Sequence, residues 1–163
     1  MNRARSEANQ YKSFYGGACP VKQLASRMGN FMQMYTIYGH VRPFGAAAIL
    51  GGVDADGPCL YMVEPSGISV GYFGVAIGKG KQAAKTDLEK LKLSEMTCRE
   101  AAKAVAKIIH TVHDDVKDKA FELELSWVCP ESNNQHAMLP TALRDEIEAA
   151  VKSEIEAEDM DDE

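Results

Sequence analysis

The middle of the chain, residues 42–91, contains the pattern that most limits how this sequence can fold. Three short apolar runs, at residues 44–50, 59–63 and 68–77, are separated by clusters rich in Gly, Asp, Pro and Ser. Apolar runs bounded by such clusters predict an antiparallel meander. The first run has almost no polar residue on either face, so we expect its strand to be covered on both sides. The sequence therefore predicts a layered structure rather than a single sheet.

Two helices are predicted before the meander. Apolar residues recur at helical spacing from residue 4 to residue 15, where Gly16 and Gly17 end the pattern. Pro20 suits the first turn of a second helix that ends at Gly39. A Met-rich stripe on this helix favours packing in a core over a Met-lined binding groove. The stripe consists of Val21, Leu24, Ala25, Met28, Met32 and Tyr35.

Helical patterns also follow the meander, with one strand among them. Residues 79–91 predict a helix that buries Ala84, Leu88 and Leu91. The pair Thr97 and Glu100 has capping-box spacing and predicts the start of the next helix. Residues 121–127 alternate apolar and polar side chains, which predicts a half-exposed strand, and a last helix follows. The predicted apolar face of the capped helix is Ala101, Val105, Ile108, Ile109 and Val112, and that of the last helix is Leu143, Ile147, Ala150, Val151 and Ile155.

Composition excludes several classes of function. The 163 residues suit one domain, and the net charge of −6 arises at the C-terminus, where ten acidic and two basic residues follow from Arg144 onward. No basic cluster indicates nucleic acid, and no apolar run approaches the ~20 residues of a membrane span. The N-terminus lacks the apolar core of a secretory signal. The four cysteines have no CxxC spacing, which indicates free thiols in a reducing compartment.

A series of motifs resembles the alpha subunits of the 20S proteasome. The motifs are Arg42-Pro43-Phe44-Gly45, Glu64-Pro65-Ser66-Gly67 and Ala76-Ile77-Gly78, with further matching segments in the same order. These further segments are residues 56–61, 83–89, 95–100, 106–109 and 116–128. The resemblance extends from Ala4 into the tail. It implies structural roles for Arg42, Pro43, Phe44, Gly45, Pro65, Ser66, Gly67 and Gly78.

The resemblance implies an α+β fold, the αββα four-layer sandwich of the N-terminal-nucleophile hydrolase type, incomplete at the N-terminus. Residues 1–157 would be the C-terminal two-thirds of a single proteasome-subunit domain, and residues 158–163 a disordered acidic tail. In the family, an N-terminal extension and several strands precede the point that matches Ala4. Without those strands we expect exposed strand edges and apolar faces, and a chain that is poorly soluble or only partly ordered by itself.

Three patterns suggest ligand or nucleophile chemistry, and each has a structural interpretation that is favoured. Residues 74–80 hint at a phosphate-binding loop, but the spacing is one residue short and Gly80 stands where Ser or Thr would contact magnesium. His110 and His113, followed by two Asp residues, hint at a metal site but lack a third ligand pattern, and a helix C-terminus favours such cationic groups. No local signature makes any of Cys19, Cys59, Cys98 or Cys129 a nucleophile. We therefore predict no cofactor and no metal.

Catalysis is not expected either. Proteasome peptidase chemistry needs an N-terminal threonine whose amine serves as the base. This sequence starts Met1-Asn2, and no threonine precedes Thr36. Two alternatives remain at this stage: a threonine peptidase of the same fold, and a truncated fragment without independent function.

The acidic tail offers one candidate modification site. Ser153 is followed by Glu154 and Glu156, as an acid-directed kinase would require. A solvated tail without a specific role is the favoured interpretation, and docking to basic surfaces of a regulator is the alternative.

The function implied by the resemblance is that of a non-catalytic structural subunit. Its partners would be neighbouring alpha subunits, the beta ring and regulatory particles, with no nucleic acid and no membrane. The helix pair at residues 4–38 would belong to the layer that faces the beta ring. Such subunits act in ubiquitin-dependent protein degradation in the cytoplasm and nucleus.

Overall fold

The computed structural model of the protein describes residues 1–113 and 121–161, which divide into two compact units, Met1–Gly78 and Lys79–Glu163. None of the helices in these described ranges is long and apolar enough to cross a membrane. The first unit contains α1 (Asn2–Tyr15), α2 (Val21–Ile37), β1 (Ala48–Asp54), β2 (Gly57–Val63) and β3 (Ser69–Tyr72). The second contains α3 (Lys81–Lys90), α4 (Cys98–Val112), β4 (Ser126–Trp127), β5 (Ala137–Met138) and α5 (Thr141–Asp161), with 3₁₀ turns at Leu93–Glu95 and Pro130–Ser132.

The predicted meander is confirmed. Strands β1, β2 and β3 form an antiparallel sheet in that order, with Val63 opposite both Ala48 and Ser69. The third apolar run contributes less strand than predicted, because β3 ends at Tyr72 and Phe73 beyond it is fully exposed.

Helix α2 packs on one face of this sheet through its Met-rich stripe. Ala25, Met28 and Met32 are buried against Val63 of β2. The predicted core role of the stripe is confirmed. Partly buried side chains that extend this core are Ala4, Leu24, Phe31, Leu50 and Tyr61.

Local signals place the ends of the first two helices. Gly16 adopts the left-handed conformation at φ 75°, and its N–H donates to the carbonyl oxygen of Lys12 at 2.9 Å. Pro20 is the N-cap of α2, one residue before its predicted place in the first turn. Helix α2 ends at Ile37, because Tyr38 is already extended.

The prediction that β1 is covered on both sides is wrong for the described residues. Leu50 points toward α2, and a Cβ on Gly52 would meet Val21 of α2. On the opposite face, Ile49 is 40% exposed and Val53 is 36% exposed. Paired residues of antiparallel neighbours lie on the same face, so Val70 and Tyr72 of β3 extend this surface. We call Ile49, Val53, Val70 and Tyr72 the outer sheet face. Apolar composition predicted burial, but α2 covers only one face of the sheet.

The second unit has a separate core between α4, α5 and the segment that leads into β4. Its buried residues are Ala106, Leu123, Leu125, Leu139, Ile147 and Val151. The predicted face of α5 is confirmed, since Leu143, Ile147, Val151 and Ile155 contribute to this core. The predicted face of α4 is partly wrong, because Val105 and Ile109 are exposed while Ala106 is buried. Helix α5 and the segment before β4 pack on the small Ala side of α4 instead.

Residues 122–127 show the predicted alternation of burial but form little strand, and Phe121, on the predicted apolar face, is 39% exposed. Leu123 and Leu125 are buried, whereas Glu122 and Glu124 are exposed. Only Ser126 and Trp127 pair with a strand, β5, and the Leu139 N–H extends this pairing with a bond of 2.9 Å to the carbonyl oxygen of Leu125. A period of two therefore predicted the side-chain directions, but a strand assignment also needs a neighbouring strand.

Helix α5 continues to Asp161, beyond the predicted start of the tail at residue 158. Lys107 of α4 contacts Glu158 at 2.5 Å, and Lys103 pairs with Glu154 one turn earlier. These contacts give a physical reason for the longer helix. The boundary at residue 157 stays a prediction.

Candidate functional site

The motif at residues 42–45 lies where the chain leaves α2 and approaches β1. The ring of Phe44 is 4.7 Å from that of Tyr35 and 5.7 Å from that of Phe31, and these last two rings are 5.2 Å apart. We call these three residues the aromatic cluster. The Arg42 guanidinium donates to the carbonyl oxygen of Pro43 at 3.3 Å. The motif therefore folds its loop back onto the last turns of α2, which supports a structural role.

The motif at residues 64–67 forms the tight turn between β2 and β3. The Gly67 N–H donates to the Glu64 carbonyl oxygen, and the Glu64 N–H donates to that of Ile68, both at 2.9 Å. Gly67 has φ of +93°, which only glycine adopts without strain. The Ser66 hydroxyl accepts a 3.4 Å bond from the Ile68 N–H. These hydrogen bonds and the conformation of Gly67 therefore stabilise the turn between β2 and β3.

A close approach of two glycine backbones joins this turn to α2. A Cβ atom on Gly29 would lie 2.4 Å from the carbonyl oxygen of Gly67, and one on Gly67 would lie 2.9 Å from that of Gly29. Any larger residue would push α2 away from the sheet. We call this pair the glycine contact. Sequence reasoning missed Gly29, although a glycine inside a helical pattern is itself a signal of close packing.

A buried carboxylate joins α1 to α2 near the aromatic cluster. Glu7 is 8% exposed and contacts the guanidinium of Arg3 at 2.6 Å and that of Arg27 at 3.1 Å. The Arg3 guanidinium also lies 4.6 Å from the centre of the Phe31 ring, and that of Arg27 lies 5.5 Å from the ring of Tyr11. Two cations compensate one buried anion, as burial of a charge requires. Sequence reasoning missed this network, for which the spacing of Arg3 and Glu7 was the available signal.

The candidate phosphate loop has a packing explanation. Gly78 has φ of +107° in open space, which marks a turn before α3. A Cβ on Gly80 would lie 2.1 Å from the Cγ1 of Val112, so this glycine is required by the approach of α4. The geometry therefore supports the predicted strand-to-helix turn.

The histidine pair packs on an aromatic ring. The rings of His110 and His113 lie 5.1 Å and 4.5 Å from that of Phe121, and His110 Nε2 is 4.0 Å from a Glu148 oxygen. The two aspartates that follow His113 lie outside the described residues. Across residues 1–113 and 121–161, no group of three or more His, Cys, Asp or Glu side chains has the arrangement of a metal site. These contacts support the packing interpretation.

The prediction of free thiols is confirmed for Cys19, Cys59, Cys98 and Cys129. Burial is the main cause that raises the pKa of the first three thiols above its ordinary value. A raised pKa lowers the thiolate fraction, which is the opposite of what a nucleophile needs.

Ser153 lies on the exposed side of α5, within the helix rather than in a flexible tail. The neighbouring Glu154 is hydrogen-bonded to Lys103, and this bond lowers the pKa of the Glu154 carboxyl. One of the two acidic residues beside Ser153, Glu154, therefore already binds a lysine of α4. Phosphorylation of Ser153 stays a prediction.

The fold and these motifs define a class of protein. A model of the family described as "Proteasome subunit" matches residues 1–128. The chain therefore belongs to the proteasome subunit family, and its mixed helix and strand composition is consistent with that fold.

Individual relatives narrow the resemblance to one type of subunit. The chain is 60% identical to "Proteasome subunit alpha type-3" of Acanthamoeba castellanii, over 100% of this chain and 65% of that protein. It is 60% identical to the alpha type-3 subunit of Spinacia oleracea, over 98% of this chain and 64% of the relative. A "Probable proteasome subunit alpha type-7" of Saccharomyces cerevisiae is 44% identical over 98% of this chain and 57% of that protein. The resemblance to proteasome alpha subunits, and to the eukaryotic alpha type-3 subunit that the same motifs indicate, is confirmed. The chain spans about 65% of the length of the first of these relatives.

Proposed function

We propose that this chain is a structural, non-catalytic subunit of the alpha ring of the 20S proteasome, at the position of an alpha type-3 subunit. In this role it supports ubiquitin-dependent protein degradation through ring assembly and docking of regulators. The observation that carries the proposal is 55–60% identity to several alpha type-3 subunits over nearly the whole chain. The structural roles of residues 42–45 and 64–67 support it. These two motifs stabilise a loop and a turn of the fold rather than a reaction centre.

The outer sheet face supports a place in a larger assembly. Four apolar side chains are exposed on it, two on β1 and two on β3, and Met62 of the intervening strand β2 lies between Ile49 and Val70. Contiguous apolar surface of this kind marks a contact with other protein. We propose that a second sheet covers this face, which would complete the αββα sandwich.

The exposed side of the helix pair offers a second contact surface. Phe14 and Tyr15 at the end of α1, and Ile37 at the end of α2, are well exposed. The family places this helix layer against the beta ring, and large apolar side chains suit a permanent subunit interface. We propose the beta ring as the partner of this surface, neighbouring alpha subunits and regulatory particles as further partners, and the cytoplasm and nucleus as the location.

Co-purification from cells tests the proposal. The full chain, tagged and expressed in eukaryotic cells, is expected to migrate with other alpha and beta subunits in a large particle on native gels, with its partners identified by mass spectrometry. Ile49→Asp places a charge on the outer sheet face and is expected to abolish this recovery. The matched control is Met160→Asp on an exposed position of α5, which is expected to co-purify normally.

Two outcomes contradict the proposal. The first is recovery of the wild-type chain only as a monomer or aggregate without proteasome subunits. The second is peptidase activity of material in which this chain is the sole subunit type, because that result favours the threonine-peptidase alternative. Equal recovery of both Asp variants contradicts the assignment of the outer sheet face alone.

A further inference from the structure

The last turns of α5 extend beyond the hydrophobic core of the second unit. Val151 is fully buried in that core, and Ile155 packs against it. After Ile155, the described side chains at positions 156, 157, 158 and 160 are all exposed, and Met160 is 77% exposed. We call residues 156–161 the α5 end. Burial of these described side chains therefore does not explain why the helix continues to Asp161.

The charge of the α5 end disfavours a helix as well. Its six residues include four acidic residues and no basic one. The C-terminus of a helix carries a partial negative charge, so acidic groups near it are unfavourable. Acidic side chains that are close together on the helix also repel one another. The helical conformation of the α5 end therefore needs a stabilising contact from outside this segment.

A pair of lysines on α4 supplies such a contact. The Lys107 ammonium lies 2.5 Å from a carboxylate oxygen of Glu158. One turn earlier on both helices, the Lys103 ammonium donates a hydrogen bond to Glu154. Because residues four apart lie on the same face of a helix, the two ion pairs follow the line along which α4 and α5 meet. The Lys107–Glu158 pair thus connects the α5 end to α4.

We propose that the α5 end is a reversible strap, which Lys107 holds against α4 and which opens when this charge is screened or neutralised. The side chain of Lys107 is 33% exposed and that of Glu158 is 64% exposed, so water and dissolved ions reach both groups. An ion pair with this exposure stabilises a structure only weakly. The closed and open states are therefore close in free energy, and a modest change in charge shifts their populations.

The core of the second unit limits how far the strap opens. Glu154 immediately precedes Ile155, whose side chain packs against the core, so the Lys103–Glu154 pair stays in place when the α5 end leaves α4. Opening therefore involves the turns after residue 155. The open state exposes Lys107 on α4 and presents the α5 end as a free acidic segment. The surface charge of this part of the chain thus depends on one ion pair.

Hydrogen exchange of the purified full chain, measured by mass spectrometry, tests the proposal. Lys107→Gln removes the charge but keeps a side chain of similar length, and it is expected to accelerate exchange of residues 156–161 about two- to fivefold. Exchange of residues 141–151 is expected to stay unchanged. The matched control is Lys152→Gln, which removes a lysine that pairs with Glu148 of α5 itself at 2.7 Å, and it should leave the α5 end unaffected.

Salt and a double variant distinguish the ion pair from a general effect on the helix. At about 1 M salt the Debye length is about 3 Å, so exchange of the wild-type α5 end is expected to accelerate by a similar factor. Lys107→Gln is expected to lose most of this salt dependence. Glu158→Gln should add little to Lys107→Gln, because the pair is already broken.

Four results overturn the proposal. The first is unchanged exchange of the α5 end in Lys107→Gln, and the second is acceleration along the whole of α5. The third is additive effects of Lys107→Gln and Glu158→Gln. The fourth is a wild-type α5 end that already exchanges at the rate of an unstructured peptide, because the strap would then never close.

Discussion

The two units of this chain pack their helices in different ways. In residues 1–78, α2 approaches its sheet so closely that backbone meets backbone at the glycine contact, and few large side chains are buried. In the second unit, α4 and α5 enclose branched side chains such as Leu125 and Ile147, and lysines of α4 pair with glutamates of α5. The glycine contact of the first unit depends on the absence of side chains, whereas the α4–α5 core of the second unit depends on their presence. Removal of a side chain should therefore damage the core of the second unit, whereas addition of a side chain should damage the glycine contact of the first unit.

The largest effect is expected from removal of a core side chain in the second unit. Leu125→Ala creates a cavity and should lower the free energy of unfolding by about 2–5 kcal/mol. Urea denaturation measures the loss, and hydrogen exchange should show it within residues 79–163. The control Val105→Ala, on the exposed side of α4, should change stability by about 0.5 kcal/mol or less. Similar losses in both variants would contradict the assigned core.

Enlargement rather than truncation should damage the first unit. Gly29→Ala forces a Cβ into the Gly67 carbonyl oxygen, and overpacking of this kind costs about 1–3 kcal/mol. Hydrogen exchange should accelerate in α2 and the sheet while residues 79–113 keep their protection. Gly39→Ala is the matched control, because a Cβ there meets no atom within 4 Å. Loss of protection in both units together would show that they unfold as one, and the comparison would fail.

The smallest effect is expected from acid on the α4–α5 ion pairs. The hydrogen bond from Lys103 lowers the pKa of Glu154 in the folded protein. A carboxyl with a lowered folded pKa stabilises the protein above its unfolded pKa, and this contribution disappears as the pH falls through the ordinary carboxyl range toward the folded value. Glu154→Gln should remove that part of the acid sensitivity, and high salt should weaken it. Glu156→Gln, two residues further along α5, should retain it, and equal acid profiles for the two variants would contradict the role of the Lys103 contact.

Local interactions explain which predictions succeeded. The stop at Gly16 and the capping box of Thr97 and Glu100 both appear as predicted, because each depends on groups within four residues. The order of β1, β2 and β3 was predictable for the same reason, since tight turns join neighbouring strands. The resemblance identified residues 42–45 and 64–67, and the structure adds the contacts that hold them.

The predictions failed where burial or strand pairing depends on residues that are far away in the sequence. The pattern on α4 favoured Val105 and Ile109 as buried residues, but α5 packs on Ala106, so size mattered less than the position of the partner helix. Residues 121–124 lie in the predicted strand but show no strand pairing among the described residues. Periodicity predicts neither the buried face of α4 nor the missing strand pairing. It shows that a segment is amphipathic, but it does not show which element packs against that segment.

The sequence by itself determined the element types, most helix ends, the meander and the proteasome family, because periodicity, caps, turns and motifs are properties of neighbouring residues. Only the tertiary structure decided that one sheet face is exposed and that Gly29 meets Gly67. Gly29 and Gly67 are about 40 positions apart in the sequence, and their contact forms only when whole elements pack. Local patterns thus specify the elements, whereas packing between them specifies the surfaces through which this subunit can act.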